Sequence, residues 1–424
     1  MTRQRESRVV MRETRNLEYK RQITNTFLKT VSAYANYGKG EIRFGVDDDG
    51  VEIGVQNPVQ VCMDIENKIN DNIVPVPDYR LNIIGNTSVV VLTVEEGANK
   101  PYFYKSKAYK RNDSATIEVD RLELTRLILE GENTSFEEIK SEEQELKFTN
   151  LENKICKELN IEKISLDILK TLELYNEKNG YNNAAALLAD KNQFPGIDVI
   201  RFGKNINIIL ERETFVNESV LSQYDKILVM FRKNYQYEEI EGAVRIQKEL
   251  IPEEAFREAI ANALAHRTWD VKANINVAMY EDRIEIASPG GLPRGISEEE
   301  YRNGGISIPR NYILCNVFLR LHMIERFGTG IKRINEFYKN NALKPQYLIT
   351  ENMIKISLPI VNGNKLEGNE LLIYNLLELK SMSSSEIIKE TGWKKSKTIS
   401  ILNKLVSNGY IAKTGNGRGT KYQR

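Results

Sequence analysis

Residues 253–270, EEAFREAIANALAHRTWD, predict an amphipathic helix whose polar side is as ordered as its apolar side. Both faces repeat every four residues, the apolar one with Phe256, Ile260 and Leu264 and the polar one with Glu254, Glu258, Asn262 and His266. A carboxylate one turn before an amide suits chemistry on a magnesium-bound nucleotide, because the amide oxygen can ligate Mg²⁺ and the carboxylate can orient or deprotonate a water. The alternative is an exposed polar face with glutamates at the helix start.

Two glycine segments follow this helix. Residues 282–293, DRIEIASPGGLP, predict a strand that runs into a turn at Gly290 and Gly291. The segment Gly328-Thr329-Gly330 stands at the opening of a second helical pattern. Glycines in such places let backbone N–H groups approach phosphate oxygens, and a helix N-terminus favours negative charge. In this order, the three segments favour a nucleotide site.

This order resembles the GHKL-type ATPase domain, in the form found in bacterial proteins that join a Schlafen-like AlbA domain to a RecG-C-terminal-like ATP-binding domain. The residues that carry the resemblance are Arg257-Glu258-Ala259, Asn262-Ala263, His266-Arg267, Ser288–Pro293, Pro309-Arg310-Asn311 and Gly328–Ile331. The resemblance implies ATP as the ligand, Asn262 as the Mg²⁺ ligand and Glu258 as the hydrolytic carboxylate. It also implies that His266 and the two glycine segments bind the nucleotide. The family's usual base-reading aspartate has no counterpart beside Ser288, so the identity of the base and hydrolysis stay open.

The composition of the 424-residue chain is that of an ordinary globular protein, with 41% hydrophobic and 28% charged residues, and this length predicts two to four domains. The net charge of +1 identifies no partner, so any surface for nucleic acid has to be local. Three widely spaced cysteines and two histidines fit neither a disulfide framework nor a histidine-rich metal site. Because no apolar run reaches membrane length and the N-terminus lacks a signal-peptide core, we expect a cytoplasmic protein without a membrane partner.

Residues 1–130 predict a first α+β unit of short strands and helices. The unit resembles the Schlafen-type AlbA domain over nearly its whole length, through Glu18–Lys20, Ser32–Asn36, Gly45–Asp47, Lys100–Tyr102 and Tyr109–Ser114. This resemblance implies nucleic-acid binding. Schlafen nucleases carry clustered carboxylates here, and Glu13, Glu18 and Asp47 stand where that pattern places them, with Lys20 beside them.

The predicted strands are compatible with such a nuclease site. Glu18 and Lys20 share one face of a strand because side chains alternate, and Asp47 ends another strand. Three carboxylates can hold Mg²⁺ or Mn²⁺, and a lysine can stabilise the charge that develops on a phosphoryl group. The alternative is a structural Glu18–Lys20 pair and a turn residue at Asp47, in a unit that binds nucleic acid without cleaving it.

Basic and aromatic residues interleave near the end of this unit: Lys100, Tyr102, Tyr104, Lys105, Lys107, Tyr109, Lys110 and Arg111. Such a mixture suits a surface that follows a nucleic-acid backbone and stacks on its bases. We therefore expect Lys110 and Arg111 to contact nucleic acid. The alternative is a solvated edge hairpin.

Residues 131–215 predict a linker and a small connector. Residues 131–150 are acidic and lack a sustained apolar period, whereas residues 151–215 predict a helix pair and then a strand pair, compatible with a winged-helix-like insert. The ATPase-like domain covers residues 216–362, for which the resemblance implies a GHKL-like α/β sandwich. Within it, residues 303–307, NGGIS, suit a flexible lid.

Residues 366–424 predict a separate winged helix-turn-helix unit, with three helices and two strands around a glycine-rich wing. From Lys394 to the last residue there are eight Lys or Arg and no Asp or Glu, which favours contact with phosphates. Lys394, Lys395 and Lys397 begin the third, recognition helix, and Arg418 belongs to the wing. The alternative is a protein-docking unit with a solvated basic face.

These inferences predict an α+β multidomain protein and lead to three hypotheses of function. The first is an ATP-responsive DNA-binding regulator, with RNA as the alternative target, in which lid closure over ATP rearranges the nucleic-acid-binding ends. GHKL-type domains often pair on closing, so the resemblance implies a homo-oligomer. The second is a metal-dependent endonuclease in defence, and the third is a scaffold with a degenerate nucleotide pocket. A helicase motor is not predicted, because the sequence has no Walker-type G-x-x-x-x-G-K-[ST] motif.

Overall fold

The structure is a computed structural model that describes residues 12–242, 244–293, 295–303, 308–324, 328–339, 341, 343–361, 368–377, 380–407, 410–415 and 417–423. The chain divides into two compact units, Met1–Ser135 and Phe136–Arg424. Both mix helices with sheets, so the predicted α+β class is confirmed. In the described part of the chain, no helix combines the length and the apolar character needed to cross a membrane.

The first unit alternates short strands with helices, as predicted. In chain order its elements are β1 (Leu17–Lys20), α1 (Phe27–Tyr37), β2 (Gly40–Phe44), α2 (Pro58–Asn72), β3 (Ile73–Val74), β4 (Tyr79–Ile84), β5 (Val89–Val94), β6 (Phe103–Tyr104), β7 (Tyr109–Asn112), β8 (Ala115–Glu118) and α3 (Arg121–Gly131). The segment after β2 is irregular and forms only a single bridge, between Val46 and Glu52. Gly50 and Gly54 flank it at positive φ and bend the chain there.

Helix α1 fills the core of the first unit. Its side chains Phe27, Val31 and Tyr34 are buried, and Phe27 packs edge-on against Phe44 of β2 with ring centroids 5.3 Å apart. The main sheet has the strand order β1-β2-β5-β4, with β1 parallel to β2. Because side chains alternate along β1, Glu18 and Lys20 lie on the same face of this sheet.

The second unit begins with a 3₁₀ helix, Phe136–Glu138, in the stretch predicted as a linker. The elements that follow are α4 (Thr149–Leu159), α5 (Leu166–Thr171), β9 (Tyr175–Asn176), β10 (Gly180–Tyr181), α6 (Asn183–Leu188), β11 (Ile197–Phe202), β12 (Ile209–Phe215), α7 (Val220–Tyr235), β13 (Gln236–Glu241), β14 (Val244–Glu249), α8 (Glu253–His266), β15 (Ile275–Met279), β16 (Arg283–Pro289), α9 (Glu298–Asn303), α10 (Tyr312–Arg320), α11 (Gly330–Phe337), β17 (Gln346–Ile349) and β18 (Met353–Pro359).

A six-stranded mixed sheet organises this unit, with the order β12-β11-β15-β16-β18-β17. Strand β11 runs parallel to β15, and all other neighbours in the sheet are antiparallel. Strands β11 and β12 come from the stretch predicted as a separate connector. The structure therefore places the connector's strand pair in the sheet of the ATPase-like region. The sequence did not indicate this, because α7 and the β13–β14 hairpin lie between β12 and α8 in the chain.

Helix α8 lies in the middle of the core of the second unit, where it contacts β16 and β18 of the sheet and the helices α7, α10 and α11. The apolar row predicted for it, Phe256, Ile260 and Leu264, is fully buried. Phe256 stacks on Phe231 of α7 with ring centroids 4.3 Å apart. Burying each such side chain contributes roughly 1.5–3 kcal/mol to folding. This packing fixes the orientation of the polar row on the opposite side of α8.

The described part of residues 368–423 contains α12 (Asn369–Leu376), α13 (Ser384–Thr391), α14 (Lys395–Ser407), β19 (Ala412–Thr414), a 3₁₀ turn (Gly417–Gly419) and β20 (Lys421–Gln423). Strands β19 and β20 pair antiparallel, and the helices share a small apolar core with them. This is the element order predicted for a winged helix. The N-cap of α13 is Ser383, which forms a reciprocal capping box with Glu386.

Strands β13 and β14 form an antiparallel hairpin that the sequence analysis did not predict. Its apolar side chains Tyr237, Ile240, Val244 and Ile246 are exposed, so this hairpin is not held by the core of the unit. Cross-strand ion pairs help to hold it instead, such as that between Arg245 and Glu238.

Candidate functional site

The polar row of α8 is exposed at Glu254 and less exposed along the rest of the helix. Glu254 is exposed, Glu258 is only 6% exposed, and Asn262 is half-buried. Asn262 Nδ2 donates a hydrogen bond to Glu258 Oε1 at 3.2 Å, as the four-residue spacing allows. A carboxylate taken out of water is unfavourable unless it is paired or hydrogen-bonded. The inner half of the row is therefore not an ordinary solvated helix face.

The N-terminus of α11 lies directly against this pair. A methyl group built on Gly330, the first residue of α11, would come within 2.5 Å of Glu258 Oε1 and 2.6 Å of Asn262 Nδ2. Gly328 has a φ of +61°, which favours glycine, and Thr329 is the N-cap residue between the two glycines. The glycines thus let the positive end of a helix approach a carboxylate and an amide.

The glycine turn after β16 forms a second wall. Gly290 has a φ of +106°, and its N–H donates to the carbonyl oxygen of Asn352 at 2.8 Å. A side chain on Gly290 would collide with Thr268 and Arg310, and one on Gly291 would collide with the backbone at Glu351. Both positions therefore require glycine, as expected where a backbone packs closely.

These elements line a mostly apolar pocket. Its lining includes the polar side chains of Asn262, His266 and Ser288 and the glycines Gly290, Gly291, Gly328 and Gly330. The apolar residues of the lining include Ile286, Ile296, Ile308, Ile331, Ile354 and Ile356. A concave, mostly apolar site with a few polar groups is typical of small-molecule binding. Residues 304–307 of the predicted lid lie outside the described residues.

The imidazole of His266 is neutral at physiological pH. Burial, together with the charge of Arg310, lowers its pKa to about 4. Ser288 is buried, and its Oγ donates to the carbonyl oxygen of Ala263 at 3.0 Å. Among the described residues that line the pocket, none is acidic. The described lining of this pocket is therefore built from neutral groups.

Arg310 and Asn311 bind the two walls of the pocket together, a role that the sequence analysis did not assign. Arg310 donates to the carbonyl oxygen of His266 at 2.8 Å and to that of Gly291 at 2.9 Å. Asn311 Nδ2 donates to the carbonyl oxygens of Ala265 and Arg267, each at 2.8 Å. Carbonyl groups at a helix C-terminus lack intrahelical partners, so these bonds satisfy the end of α8. The only signal in the sequence was the position of Pro309-Arg310-Asn311 in the resemblance.

In the first unit, Glu18 belongs to a buried ion-pair network. It is 4% exposed, and its two carboxylate oxygens contact Lys20 Nζ at 2.5 Å and Arg111 Nη1 at 2.8 Å. Arg111 is also buried and donates to Thr116 Oγ1 and to the carbonyl oxygen of Thr14. The structure thus brings together the predicted catalytic Glu18 and Lys20 with the predicted nucleic-acid-binding Arg111.

Glu13 and Asp47 are engaged elsewhere. Glu13 Oε1 accepts a hydrogen bond from the backbone N–H of Tyr19 at 2.9 Å. Asp47 Oδ1 accepts from the N–H groups of Asp49 and Val51, which shapes the turn after β2. Within the described ranges, no three His, Cys, Asp or Glu side chains are grouped so that they could hold a metal ion. The structure therefore does not bring Glu13, Glu18 and Asp47 together as a metal site.

The basic and aromatic surface expected in the first unit is largely used for packing. The rings of Tyr102, Tyr104 and Tyr109 are buried in the core, so they are not available for stacking on bases. Lys110 lies 2.5 Å from Glu123, and Lys107 lies 2.7 Å from Glu118. Because acidic partners balance these lysines, this region is not a strongly basic surface.

The C-terminal helix α14 keeps the predicted basic start. Lys394, Lys395 and Lys397 are exposed, and Lys397 Nζ lies over the Trp393 ring, 4.4 Å from its centroid. Thr398, which follows Lys397 on this helix, is fully buried. The side chain of Arg418 lies outside the described part of the structure.

Comparison with protein-family models matches two stretches of the chain. Residues 13–120 match the model described as Schlafen, AlbA_2, and residues 272–358 match HATPase_c_4, whose description is ATP-dependent DNA helicase recG C-terminal. The chain carries a Schlafen AlbA_2 domain and an HATPase_c_4 domain. The HATPase_c_4 match includes both glycine segments but begins after α8, so Glu258, Asn262 and His266 precede it.

Among solved structures, the chain is similar to the DIP2311 protein from Corynebacterium diphtheriae. The two share 18% sequence identity, with a TM-score of 0.49, over 97% of this chain and 92% of that chain. A comparison with curated proteins finds no match. The AlbA_2 match contains the Glu18–Arg111 network, and the HATPase_c_4 match contains strands β15, β16 and β17 of the large sheet and all of β18 except its last residue.

Proposed function

We propose that this protein is an ATP-responsive nucleic-acid-binding protein that acts as a DNA-binding transcriptional regulator. The observation that carries the proposal is the junction of α8 and α11, where Glu258 and Asn262 face Gly330 beside an apolar pocket. A carboxylate, an amide and a helix N-terminus at one end of an apolar pocket are the groups that a magnesium nucleotide requires.

The side chains of the pocket have distinct roles in this proposal. Since Asn262 Nδ2 donates to Glu258, its amide oxygen is the atom that faces a cation, and amide oxygens suit Mg²⁺. The N–H groups at the start of α11 hold phosphate oxygens. Glu258 orients or deprotonates a water near the terminal phosphate, which makes slow ATP hydrolysis part of the proposal. Bound Mg²⁺ would supply charge neutralisation of the phosphates.

The nucleic-acid half of the proposal rests on α14. Lysines at the first turn of a helix face the positive end of its dipole, which disfavours each by roughly 0.3–1 kcal/mol. Lys394, Lys395 and Lys397 nevertheless stand at this end and are exposed. A phosphate group bound there would turn this repulsion into attraction. Since a helix of this kind fits the major groove of B-DNA, we propose duplex DNA as the target and single-stranded DNA or RNA as the alternative.

The nuclease hypothesis has less support than the regulator hypothesis. Both carboxylate oxygens of Glu18 already contact cationic side chains, those of Lys20 and Arg111. A buried, paired carboxylate of this kind is favourable only while its partners remain. We therefore propose that the AlbA_2 domain binds without cleaving.

Two binding measurements on the full chain test the proposal. Mg-ATP affinity is measured by calorimetry, and binding to a labelled duplex is measured by fluorescence anisotropy with and without Mg-ATP. We expect Asn262→Ala to weaken ATP binding at least tenfold and to abolish the effect of ATP on duplex binding. The matched control Asn276→Ala, at an exposed position on β15, should behave as the wild type. A duplex affinity of the wild type that is the same with and without Mg-ATP would contradict the regulator proposal.

We also propose that the chain forms a homo-oligomer when ATP binds, as GHKL-type domains do. The mass of the full chain in solution, measured by light scattering with and without a non-hydrolysable ATP analogue, tests this point. We expect the analogue to raise the mass of the wild type but not that of Asn262→Ala. An unchanged mass in both would contradict it.

A further inference from the structure

Glu137 is a buried carboxylate in a stretch whose sequence predicts a linker. It belongs to the 3₁₀ helix Phe136–Glu138, which opens the second unit, and it is fully buried. Burial raises its pKa to about 8, although hydrogen bonds from two backbone N–H groups act in the opposite direction. Removing a carboxylate from water costs on the order of several kcal/mol. A carboxyl group buried at this position therefore requires a specific partner.

That partner is the N-terminus of α10. Glu137 Oε2 accepts from the N–H of Ile313 at 2.9 Å, and Oε1 accepts from the N–H of Leu314 at 2.8 Å. The first N–H groups of a helix have no intrahelical partner, and a carboxylate there also complements the helix dipole. Glu137 therefore caps a helix that lies more than 170 residues later in the chain.

Helix α10 needs this distant cap because its own N-cap residue is used elsewhere. The side chain of Asn311 makes no capping bond and instead donates to the carbonyl oxygens of Ala265 and Arg267 at the end of α8. Arg310 spans from His266 to Gly291 in the same way. Both residues immediately precede α10, so their positions depend on where the N-terminus of α10 is held.

We propose that Glu137 is a positioning residue of the nucleotide site, which couples the segment following the AlbA_2 domain to the pocket through α10, Arg310 and Asn311. The inference rests on the proposed nucleotide binding. A nucleotide that closes α8 and the Gly290-Gly291 turn around itself pulls on Arg310 and Asn311 and tightens the N-terminus of α10 against Glu137. Because coupling between two sites is reciprocal, a change in the segment at Phe136 alters nucleotide affinity in turn.

The test combines nucleotide affinity with amide exchange in the full chain. Glu137→Gln keeps the size of the side chain but replaces one of its two acceptor oxygens by an NH₂ group, and Glu142→Gln changes an exposed glutamate of the same stretch. We expect Glu137→Gln to weaken Mg-ATP binding about tenfold and Glu142→Gln to leave it unchanged. In the wild type, ATP should slow amide exchange over residues 312–316, and this protection should disappear in Glu137→Gln.

Each other outcome has a defined meaning. A Glu137→Gln variant that melts earlier but binds ATP within twofold of the wild type, with protection of residues 312–316 retained, would overturn the inference and leave Glu137 structural. If a Glu137→Ala variant does not fold, the ATP affinity and the amide exchange of Glu137→Gln still test the inference. A wild type that fails to bind ATP overturns the proposed function together with this inference, whereas equal binding by wild type and Glu137→Gln overturns the inference alone.

Discussion

At the scale of single residues, the Glu18–Arg111 pair differs from the surface ion pairs of the same domain. Both side chains are about 5% exposed, so each depends on the other for compensation of its charge. Pairs such as Lys107–Glu118 are about half exposed, and water screens them. A buried pair therefore contributes little net stability when intact, but losing one partner is costly.

The first prediction concerns this difference. Glu18→Gln leaves Arg111 buried without its counter-charge, and we expect it to destabilise the first unit by about 3–5 kcal/mol. Glu118→Gln removes the exposed partner of Lys107, and we expect a loss below about 1 kcal/mol. Urea unfolding followed by circular dichroism measures both. Similar losses for the two variants would show that Glu18 is not in the network described above.

The second prediction concerns the two histidines. Since burial lowers the folded-state pKa of His266 to about 4, the unfolded chain binds more protons between pH 6.5 and pH 4. The neutral state of His266 thus contributes stability above pH 6.5, and this contribution is lost as the pH falls towards 4. We expect the melting temperature of wild type to fall more between pH 7 and pH 4.5 than that of His266→Gln.

The matched control for this prediction is His322. Its side chain is exposed, and its positive φ is one that asparagine tolerates, so His322→Asn is the appropriate change. We expect this variant to follow the wild-type pH dependence. A parallel pH dependence in all three proteins would mean that His266 is accessible to protons in the folded chain.

At the scale of elements, the meeting of α8 and α11 leaves no space for a side chain at Gly330. In an ordinary helix, replacing glycine by alanine stabilises by about 1 kcal/mol, because the unfolded chain loses freedom. Here the added methyl group would push Glu258 and Asn262 apart. The proposed nucleotide site depends on the distance between two helices, and the glycine at position 330 allows the short distance that is observed.

The third prediction follows from this contact. We expect Gly330→Ala to weaken Mg-ATP binding more than tenfold while changing the melting temperature little, since the helix gain and the contact loss oppose each other. Calorimetric titration and thermal melting measure the two effects. Gly85→Ala, where a methyl group meets no atom within 4 Å, is the control. Normal ATP binding by Gly330→Ala would show that the pair on α8 does not contact the ligand.

The sequence indicated elements whose signals are local and missed those set by distant contacts. The two rows of α8 followed from the four-residue period of its sequence. Strand β11 was predicted as a strand, but its partner β15 is distant in the sequence. Nothing in the sequence of either segment indicates that Ile197 pairs with Ile275. Pairing between remote segments is decided by tertiary packing, so the sheet could not be assembled from strand patterns alone.

The residues of the candidate site also fall into those with a local signal in the sequence and those placed by distant contacts. The row Glu258, Asn262 and His266 and the glycine segments were found because helix period and glycine spacing are visible in the sequence. Arg310 bonds across 44 residues to the end of α8, and Glu137 bonds across 176 residues to α10. An acidic stretch that looks solvated gives no sign that one of its carboxylates is buried. Such contacts are visible only in the folded chain.

At the scale of the whole molecule, the overall charge conceals a strong local asymmetry. The net charge is +1, but the last 31 residues hold eight basic and no acidic residues. Displacement of counter-ions from DNA makes affinity depend on salt, with a slope near −0.9 per phosphate contact. The terminal region, rather than the chain as a whole, is therefore expected to determine this slope.

The fourth prediction measures that slope. We expect the double variant Lys395→Ala with Lys397→Ala to reduce the dependence of log affinity on log salt by about 2, because two phosphate contacts are removed. Fluorescence anisotropy of a labelled duplex between low and physiological salt measures it. Lys389→Ala, an exposed lysine on α13, should leave the slope unchanged. An unchanged slope in the double variant would show that these lysines of α14 do not contact the DNA phosphates.

The large sheet also bears on how such a protein can arise and be rearranged by recombination. Its strands come from residues 197–215 and 275–359, and the stretch that matches a family model begins only at residue 272. A genetic crossover near residue 216 would separate β15 from its parallel neighbour and leave an open edge prone to aggregation. A crossover just before Phe136 would keep both the sheet and the Glu137 cap intact. The segment that has to be transferred as one piece, from Phe136 onward, is therefore considerably longer than the stretch that matches the family model.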